Sequence, residues 1–219
     1  MEDSASPDLW LNSGGRFLFA GGFGHPIEGD LPSDDRWRHT YGRSNPTDTD
    51  GGMRPQNIFR LITRGTFDDF HQQLTFTILA IDKSASPNRN ESNGVLLLEH
   101  YLDGDNLYYA GVRVDGAAVV KRKLHGTYRT LGLVPIDPGS YNRDSNPNLI
   151  PENRRITIAT ETHSNADQTV DIELSVDGAP VLQVHDSGVG GPAIAGPGFA
   201  GIRTDFMDVE FESYLAGPR

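Results

Sequence analysis

The chain contains no cysteine, which excludes disulfide bridges and thiolate-ligated metal sites. No run of apolar residues approaches the roughly 18 that a membrane-spanning helix needs. The opening residues, MEDSASPD, are acidic and polar, so no signal peptide is visible there. We therefore expect a protein without a membrane span. A location outside the cytoplasm, secreted or periplasmic, remains compatible with the sequence.

Basic residues are scarce: 19 Lys and Arg stand against 30 Asp and Glu, for a net charge of -11. This balance argues against a general nucleic-acid binder, which first needs a basic surface. The basic residues that do occur are concentrated in predicted strands, as Arg60, Arg64, Arg113, Lys121, Arg122 and Lys123. They indicate either a local site for an anionic ligand or solvated strand edges.

Convincing helical periodicity is also lacking, whereas alternation of apolar and polar residues is common. Gln73 to Ile81 and Val170 to Val176 alternate with period two, and Asp-Gly pairs punctuate such segments. The pattern predicts an all-β protein, a two-sheet antiparallel β-sandwich of the jelly-roll type. Long loops are expected at 21–57 and 125–154. We expect residues 1–9 to be flexible and 10–219 to form one domain.

The richest segment is 93–124, which predicts three strands joined by two Asp-Gly turns. If each turn has two central residues, His100 lies opposite Tyr109 and Tyr109 opposite Arg122, with Arg113 on the same face. The opposite face then carries Glu99, Tyr101, Tyr108, Lys121 and Lys123. A change of one residue in either turn would move a whole strand to the other face.

The loop 21–57 contains DDRWRHTYGR, in which Trp37 stands among three arginines. A loop of this length is usually functional or mobile. Trp37 is therefore a candidate for a wall that stacks on a sugar. The alternative is a surface loop held in place by one buried tryptophan.

The second half of the chain resembles the concanavalin A-like lectin/glucanase superfamily. The similar segments are VDIELSVDGAPVLQVHD and GFAGIRTDFMDVEFESY, with weaker likeness in RGTFDDFHQQLTFTI and SNGVLLLEHY. The resemblance implies a jelly roll. It also implies a structural calcium ion as a cofactor to be tested, for which the sequence offers Asp48, Asp50, Asp103, Asp105, Asp205 and Asp208.

Within that superfamily, LYYAGVRVD is similar to the Y-F-K-A-G-x-Y-x-Q strand of the jelly-roll alginate lyases. Aligned on the Ala-Gly pair, Arg113 stands where that family has its catalytic tyrosine. Tyr109 stands where it has a lysine, and Asp115 where it has a glutamine. The resemblance implies action on a uronate-containing glycan.

Three functions remain open. The first is a polysaccharide lyase, in which His100 or Tyr109 acts as base and acid and Arg113 or Arg60 holds the carboxylate. The second is a non-catalytic carbohydrate-binding module or lectin. Its contacts would come from Arg60, Arg64, Tyr101, Tyr108, Lys121, Arg122, Lys123 and Trp37. The third is a glycoside hydrolase with paired carboxylates, drawn from Asp208, Glu210, Glu212, Glu99 and Glu161. In each case the expected partner is a poly- or oligosaccharide, and the oligomeric state stays open.

Overall fold

The computed structural model describes residues 3–4 and 6–219, and the side chains from residue 6 onward. Two sheets form an open sandwich, antiparallel except for one short parallel pair. In spatial order the eight-stranded sheet contains β1 (Asp3–Ser4), β3 (Arg16–Ala20), β4 (Phe23–Pro26), β15 (Met207–Pro218), β6 (Phe70–Ile81), β11 (Arg155–Ser164), β12 (Val170–Val176) and β13 (Ala179–Asp186).

The seven-stranded sheet contains β10 (Thr127–Pro135), β9 (Ala117–Leu124), β8 (Asn106–Arg113), β7 (Gly94–Asp103), β14 (Gly198–Thr204), β5 (Phe59–Phe67) and β2 (Leu9–Ser13). The all-β jelly-roll prediction is confirmed. The predicted flexible segment 1–9 lies partly outside the described residues. Within them, the pair 3–4 and residue 9 belong to strands.

Alternation along the strands fills the space between the sheets with apolar side chains. Leu74, Phe76 and Ile78 of β6 face Val95 and Leu97 of β7, and all are fully enclosed. A second apolar cluster covers the outer face of the seven-stranded sheet and contains Ile62, Leu96, Leu98, Tyr101, Leu107, Tyr109 and Val119. The middle strands of that sheet are therefore buried on both faces, which explains the nearly continuous apolar sequence of β7.

The two predicted long loops both contain regular structure. Segment 21–57 holds β4, a nine-residue helix α1 (Arg36–Ser44) and a 3-10 helix (Pro55–Ile58). Asp35 caps α1 by accepting a hydrogen bond from the amide of Trp37 at 2.7 Å. Only Trp37 and Tyr41 of α1 are buried, so the sequence shows little of the helical periodicity of apolar residues. Segment 125–154 begins with β10, whose strand pattern is interrupted by a register shift at Gly132.

Candidate functional site

A groove of about 500 Å³ lies on the outer face of the seven-stranded sheet. Its floor is built from strand residues that alternation turns outward: Arg60, Leu96, Tyr109, Val119, Lys121, Tyr128 and Arg203. Its walls come from loops and include Asp48, Asn88, Asn90, Ser92, Asn93, Asp205 and Phe206. We call this set the groove. Six neighbouring strands thus supply a floor of apolar and cationic side chains under a rim of carboxylates and amides.

At the centre of the floor, Tyr109 is packed between an arginine and a second tyrosine. The guanidinium carbon of Arg203 lies 4.8 Å from the centroid of the Tyr109 ring. The ring of Tyr128 is stacked against Tyr109, with centroids 6.0 Å apart and planes 25° apart. Asp205 holds Arg203 in place because Nε donates to both carboxylate oxygens at 2.9 Å. Tyr109 is almost fully buried, whereas Tyr128 remains 51% exposed.

The pKa values of the two tyrosines are shifted in opposite directions. Burial raises the pKa of Tyr109, and its hydroxyl donates a hydrogen bond to Tyr128. Burial also raises the pKa of Tyr128, but Arg203 and Lys123 outweigh it and the net pKa is lowered. Tyr128 is therefore the more acidic phenol of the pair, and it is also the one that a solute can reach.

Two cationic side chains on the floor lack a carboxylate partner. Lys121 donates from Nζ to Ser92 Oγ at 3.2 Å. Burial lowers the pKa of Lys121, and Arg113 and Arg203 lower it further. The Arg60 guanidinium makes no hydrogen bond or close ion pair with any residue that the structure describes, although its charge acts on the carboxylate of Asp48. In contrast to Arg203, both cations are thus available to an anion.

On the opposite wall, Asp48 is fixed by three donors. Its carboxylate accepts hydrogen bonds from Ser86 at 2.6 Å, Asn88 at 2.9 Å and Asn45 at 3.1 Å. Burial raises the pKa of Asp48, but these hydrogen bonds together with the charge of Arg60 bring it below its ordinary value. A negative charge is therefore held at the rim, where it can accept hydrogen bonds from hydroxyl groups.

Of the residues singled out in the sequence, the structure brings Tyr109, Lys121 and Arg60 together in the groove. It does not bring His100 there. His100 adopts a positive φ of 42° inside a bulge that shifts the pairing between Glu99 and Asp103. The bulge turns the imidazole inward, where Nδ1 and Nε2 each lie 2.8 Å from a carbonyl oxygen, of Ile194 and Asp68 respectively. The expected face shared by His100, Tyr109 and Arg122 does not form.

Arg122 faces inward, on the same side as Tyr108, because the turn after β8 has three residues instead of two. Tyr108 pairs with Arg122, and Tyr109 pairs with Lys121. Arg122 is almost completely buried and donates from Nη1 to Asp186 at 2.8 Å, and the Tyr108 hydroxyl donates to the same carboxylate at 2.7 Å. The one-residue shift exchanges Arg122 for Lys121 at the groove floor.

The remaining candidates lie outside the groove lining. Arg113 shares the face of Tyr109, but its Nη2 donates to Asp115 at 2.6 Å and its Nε to the carbonyl of Glu91. Tyr101 is buried in the outer apolar cluster. Lys123 binds Gly104 and Asp105 at the β7–β8 turn. Arg64 is exposed near the far end of β5.

Trp37 packs in a small core with Ile27, Leu31 and Tyr41 and is only 7% exposed. Its ring therefore holds α1 against the sandwich and presents no stacking wall. This corrects the expectation that Trp37 lines a sugar site.

The paired carboxylates considered for a hydrolase are dispersed on the eight-stranded sheet or in the core. Glu99 is buried and accepts hydrogen bonds from Gln72, Thr160 and Thr162. Asp208 is bonded by Gln56 and Gly29. Glu210 lies 4.0 Å from His25, Glu212 pairs with Arg155, and Glu161 pairs with Arg219. None of these five lines the groove.

Sequence reasoning missed Tyr128 and Arg203, and it named Asp48 only as a possible calcium ligand. Tyr128 was hidden in a predicted loop. Arg203 carried a usable signal, since alternation in GFAGIRT places it on the face opposite Ile202, whose side chain is in the core. Asp48 had no such signal, because its position depends on contacts with residues about 40 positions away.

Comparison with solved structures shows which proteins share this fold. The carbohydrate-binding module CBM66 from Bacillus subtilis is 12% identical, with a TM-score of 0.59 over 99% of both chains. A variant of the GH43 protein BlXynB from Bacillus licheniformis is 13% identical, with a TM-score of 0.54; the match covers 100% of this chain and 38% of that one. The exoplasmic/lumenal domain of VIP36, in a Ca2+/Man3GlcNAc-bound form, is 8% identical, with a TM-score of 0.52 over 100% and 87% of the chains.

These likenesses show that the chain shares a jelly-roll β-sandwich fold with these proteins. No family model matches the sequence, and no curated protein matches it either. Among the described residues, no helix combines the length and the hydrophobicity that a membrane span requires.

Proposed function

We propose that this protein is a carbohydrate-binding domain that recognises an acidic sugar in the groove. The observation that carries the proposal is that two cations without an ion-pair partner within 4 Å among the described residues, Arg60 and Lys121, lie in one groove with the exposed ring of Tyr128. An anion needs charge-assisted donors, and a sugar needs an aromatic face for its C–H groups. The groove offers both within one cavity.

In this arrangement the sugar carboxylate lies between Arg60 and Lys121, and its ring packs on Tyr128. Hydroxyl groups donate to the fixed carboxylate of Asp48 and accept from the amides of Asn88 and Asn90. Because Asp48 and Arg203 are already held by their neighbours, they need little reordering when a ligand binds. The floor is therefore preorganised for recognition.

The structural neighbours favour this class of ligand. One is a carbohydrate-binding module, and another was solved with a bound mannose-containing oligosaccharide. We further propose that the protein acts outside the cytoplasm, where acidic polysaccharides are found. Fractionation of native cells tests the location, and recovery only in the cytoplasm would contradict it.

Calorimetric titration with uronate oligosaccharides and matched neutral oligosaccharides tests the ligand class. Arg60→Ala should lower the affinity for the uronate oligosaccharide about 10- to 100-fold, since a hydrogen bond to a charged group contributes about 1.5–3 kcal/mol. The matched control is Arg64→Ala, on the same strand but outside the groove lining, which should leave the affinity unchanged. Equal binding of neutral sugars, or equal losses in both variants, would contradict the proposal.

A second candidate, a polysaccharide lyase, is favoured by one observation: Tyr128 is exposed, has a lowered pKa and lies near Arg203. In β-elimination a base removes the proton on the carbon next to the carboxylate. The electron pair forms a C=C bond, and the glycosidic oxygen leaves with a proton. Tyr128 as phenolate would take the proton from carbon and, as phenol, give it to the departing glycosidic oxygen, and Arg60 and Lys121 would neutralise the carboxylate.

Ultraviolet absorbance of the unsaturated product separates the two candidates. The binding module predicts affinity without new absorbance. The lyase predicts absorbance that Tyr128→Phe abolishes, while Arg64→Ala, outside the groove lining, retains it.

A further inference from the structure

Trp10 lies on the same face of the seven-stranded sheet as the groove, although it is not part of the groove lining. On β2 it pairs with Ile62 of β5, and the next residue, Leu11, pairs with Leu61. Leu11 and Leu61 are buried between the sheets, whereas Ile62 belongs to the apolar cluster on the outer face. Paired residues point to the same side of a sheet, so the indole of Trp10 lies on the outer face. It is 36% exposed, and a solute can therefore reach it.

Strand register joins Trp10 to the centre of the groove floor. Ile62 of β5 pairs with Gly201 of β14. Gly201 pairs with Leu98 of β7, and Leu98 pairs with Tyr109 of β8. Together with Trp10 these residues form one row across five neighbouring strands. Neighbouring strands lie about 4.8 Å apart, so the row runs roughly 19 Å from Trp10 to Tyr109.

The side chains beside this row carry positive charge. Arg60 lies two residues before Ile62 on the same face of β5. It is therefore a diagonal neighbour of Trp10, with Cα atoms roughly 7–8 Å apart. Arg60 pairs in turn with Arg203 of β14, the arginine that packs on Tyr109. A polymer that follows the row across the strands thus passes both guanidinium groups before it reaches Tyr109.

Side-chain contacts already join β2 to the middle of the sheet. The side chain of Asn12, on β2, hydrogen-bonds the hydroxyl of Tyr101 of β7. Tyr101 is only 7% exposed, so it adds to the floor between these strands and does not stand above it. In the order of the sheet, β2 is the last strand. A ligand that passes over Trp10 therefore leaves the sheet at its edge.

We propose that Trp10 is an outer subsite of the groove, and that the ligand is an internal stretch of a linear acidic polysaccharide bound across the strands. This proposal rests on the proposed function of the groove. A sugar whose carboxylate lies at Arg60 is followed along the polymer by sugars that reach Trp10, and the indole packs on the C–H groups of one of them. The row is longer than a disaccharide, so a contact with Trp10 distinguishes a polymer from a single terminal sugar.

The alternative role for Trp10 is to cover Ile62 at the edge of the sheet. A tryptophan that only covers the sheet contributes to stability, but it does not make affinity depend on the length of the ligand. Affinities for short and long oligosaccharides therefore separate the two roles.

Titration calorimetry with the disaccharides and hexasaccharides of polygalacturonate and of alginate tests the proposal. With the wild type, the hexasaccharide should bind more tightly than the matching disaccharide. Trp10→Ala should lower the hexasaccharide affinity about 3- to 10-fold, the loss expected for one aromatic contact, and leave the disaccharide affinity unchanged. The matched control is Phe19→Ala. Phe19 is an exposed aromatic residue on β3 of the other sheet, so this variant should retain both affinities.

Fluorescence gives a second readout, because the chain has two tryptophans and the other one, Trp37, is buried. The hexasaccharide should protect Trp10 from quenching by acrylamide, and the disaccharide should not. Trp10→Phe should remove this signal and retain most of the hexasaccharide affinity, which keeps the proposal testable if Trp10→Ala does not fold.

Two results would overturn the subsite while the proposed function stands. One is a lower melting temperature of Trp10→Ala with an unchanged ratio of hexasaccharide to disaccharide affinity. The other is equal quenching of Trp10 with and without bound hexasaccharide. If none of the four oligosaccharides binds, the proposed function of the groove is overturned together with the subsite.

Discussion

Arg122 has its guanidinium enclosed between the two sheets, where it holds a loop as well as a carboxylate. Nη1 binds Asp186 and the carbonyl of Pro192, and Nη2 binds the carbonyl of Val189. The hydroxyl of Tyr108 donates to Asp186 and accepts from the amide of Ile194. The network therefore joins β8 and β9 to β13 and to the loop 187–197. The Nε of Arg122 has no hydrogen-bond partner, so the donors of this buried guanidinium are only partly satisfied.

Removing Asp186 should destabilise the protein strongly, because it leaves a buried cation without its counter-charge. We expect Asp186→Ala to lower the free energy of unfolding by about 3–5 kcal/mol in urea denaturation. Glu212→Ala, which breaks the exposed pair with Arg155, should cost about 1 kcal/mol or less. Similar losses in both variants would show that the buried network contributes no more than a surface pair.

Asp82 should make stability depend on pH in an unusual direction. Its pKa is about 7 in the folded protein and near 3.8 when unfolded, so the folded state retains a proton that the unfolded state has lost. Stability should therefore fall as pH rises from about 4 to about 7, by up to about 4 kcal/mol. The stability difference between wild type and Asp82→Asn, measured by urea denaturation at a series of pH values, should show this slope. A flat difference between pH 5 and pH 8 would contradict the shifted pKa.

At the scale of elements, strand pairing decides which side chains reach the groove. The β8–β9 turn contains Val114, Asp115 and Gly116, and the amide of Gly116 donates to the carbonyl of Arg113 at 2.9 Å. Asp-Gly is favourable in two-residue and three-residue turns alike, so the local sequence does not distinguish them. What selects the longer turn is distant: the carbonyl of Gly116 accepts from Ile136 and Asp137, beyond β10.

The strands themselves were predictable, because a strand that is buried on one face alternates apolar and polar residues along its sequence. The alternating segment Val170 to Val176 coincides with β12. Helix α1 was not predictable in this way, since its buried residues are only Trp37 and Tyr41. The β7 bulge also lacked a signal. A non-glycine residue with positive φ, here His100, is tolerated only because the core encloses it.

Gly116→Ala should test how strongly the three-residue turn is held. Gly116 has a φ of 78°, and a Cβ there would collide with the backbone carbonyl of Asp137. Gly178, in another Asp-Gly turn, has a φ of 79° and open space around its Cβ position. Gly178→Ala should therefore cost about 1 kcal/mol, from backbone strain alone. Gly116→Ala should cost clearly more in the same urea experiment, and equal costs would contradict the close packing of the turn.

At the scale of the whole molecule, a protein with a net charge of -11 keeps a cationic floor in one groove. The fold and the basic strands of that floor could be anticipated from the sequence. The groove itself could not be anticipated from the sequence. Its walls come from residues 48, 88–93 and 205–206, which only the tertiary fold brings together. Two of its cations are positioned in different ways: Lys121 by the strand register that the turn after β8 sets, and Arg203 by its ion pair with Asp205, two residues along the chain.

The lowered pKa of Lys121 gives the proposed site a recognisable pH dependence. Burial and the neighbouring Arg113 and Arg203 disfavour its charged form, so Lys121 should lose its proton at a lower pH than the ordinary lysine value of 10.5. A bound carboxylate needs that charge. Affinity for a uronate oligosaccharide should therefore fall as pH rises from 7 toward 10, whereas affinity for any neutral sugar should change little.

Lys121→Arg separates this effect from general alkaline damage, because a guanidinium stays charged throughout that range. Titration calorimetry at a series of pH values should show a nearly flat affinity for Lys121→Arg and a declining one for the wild type. Lys123→Arg is the control: Lys123 binds Asp105 and Gly104 outside the groove lining, so this variant should retain the wild-type decline. If Lys123→Arg flattened the profile and Lys121→Arg did not, the anion would lie nearer the β7–β8 turn than the centre of the groove.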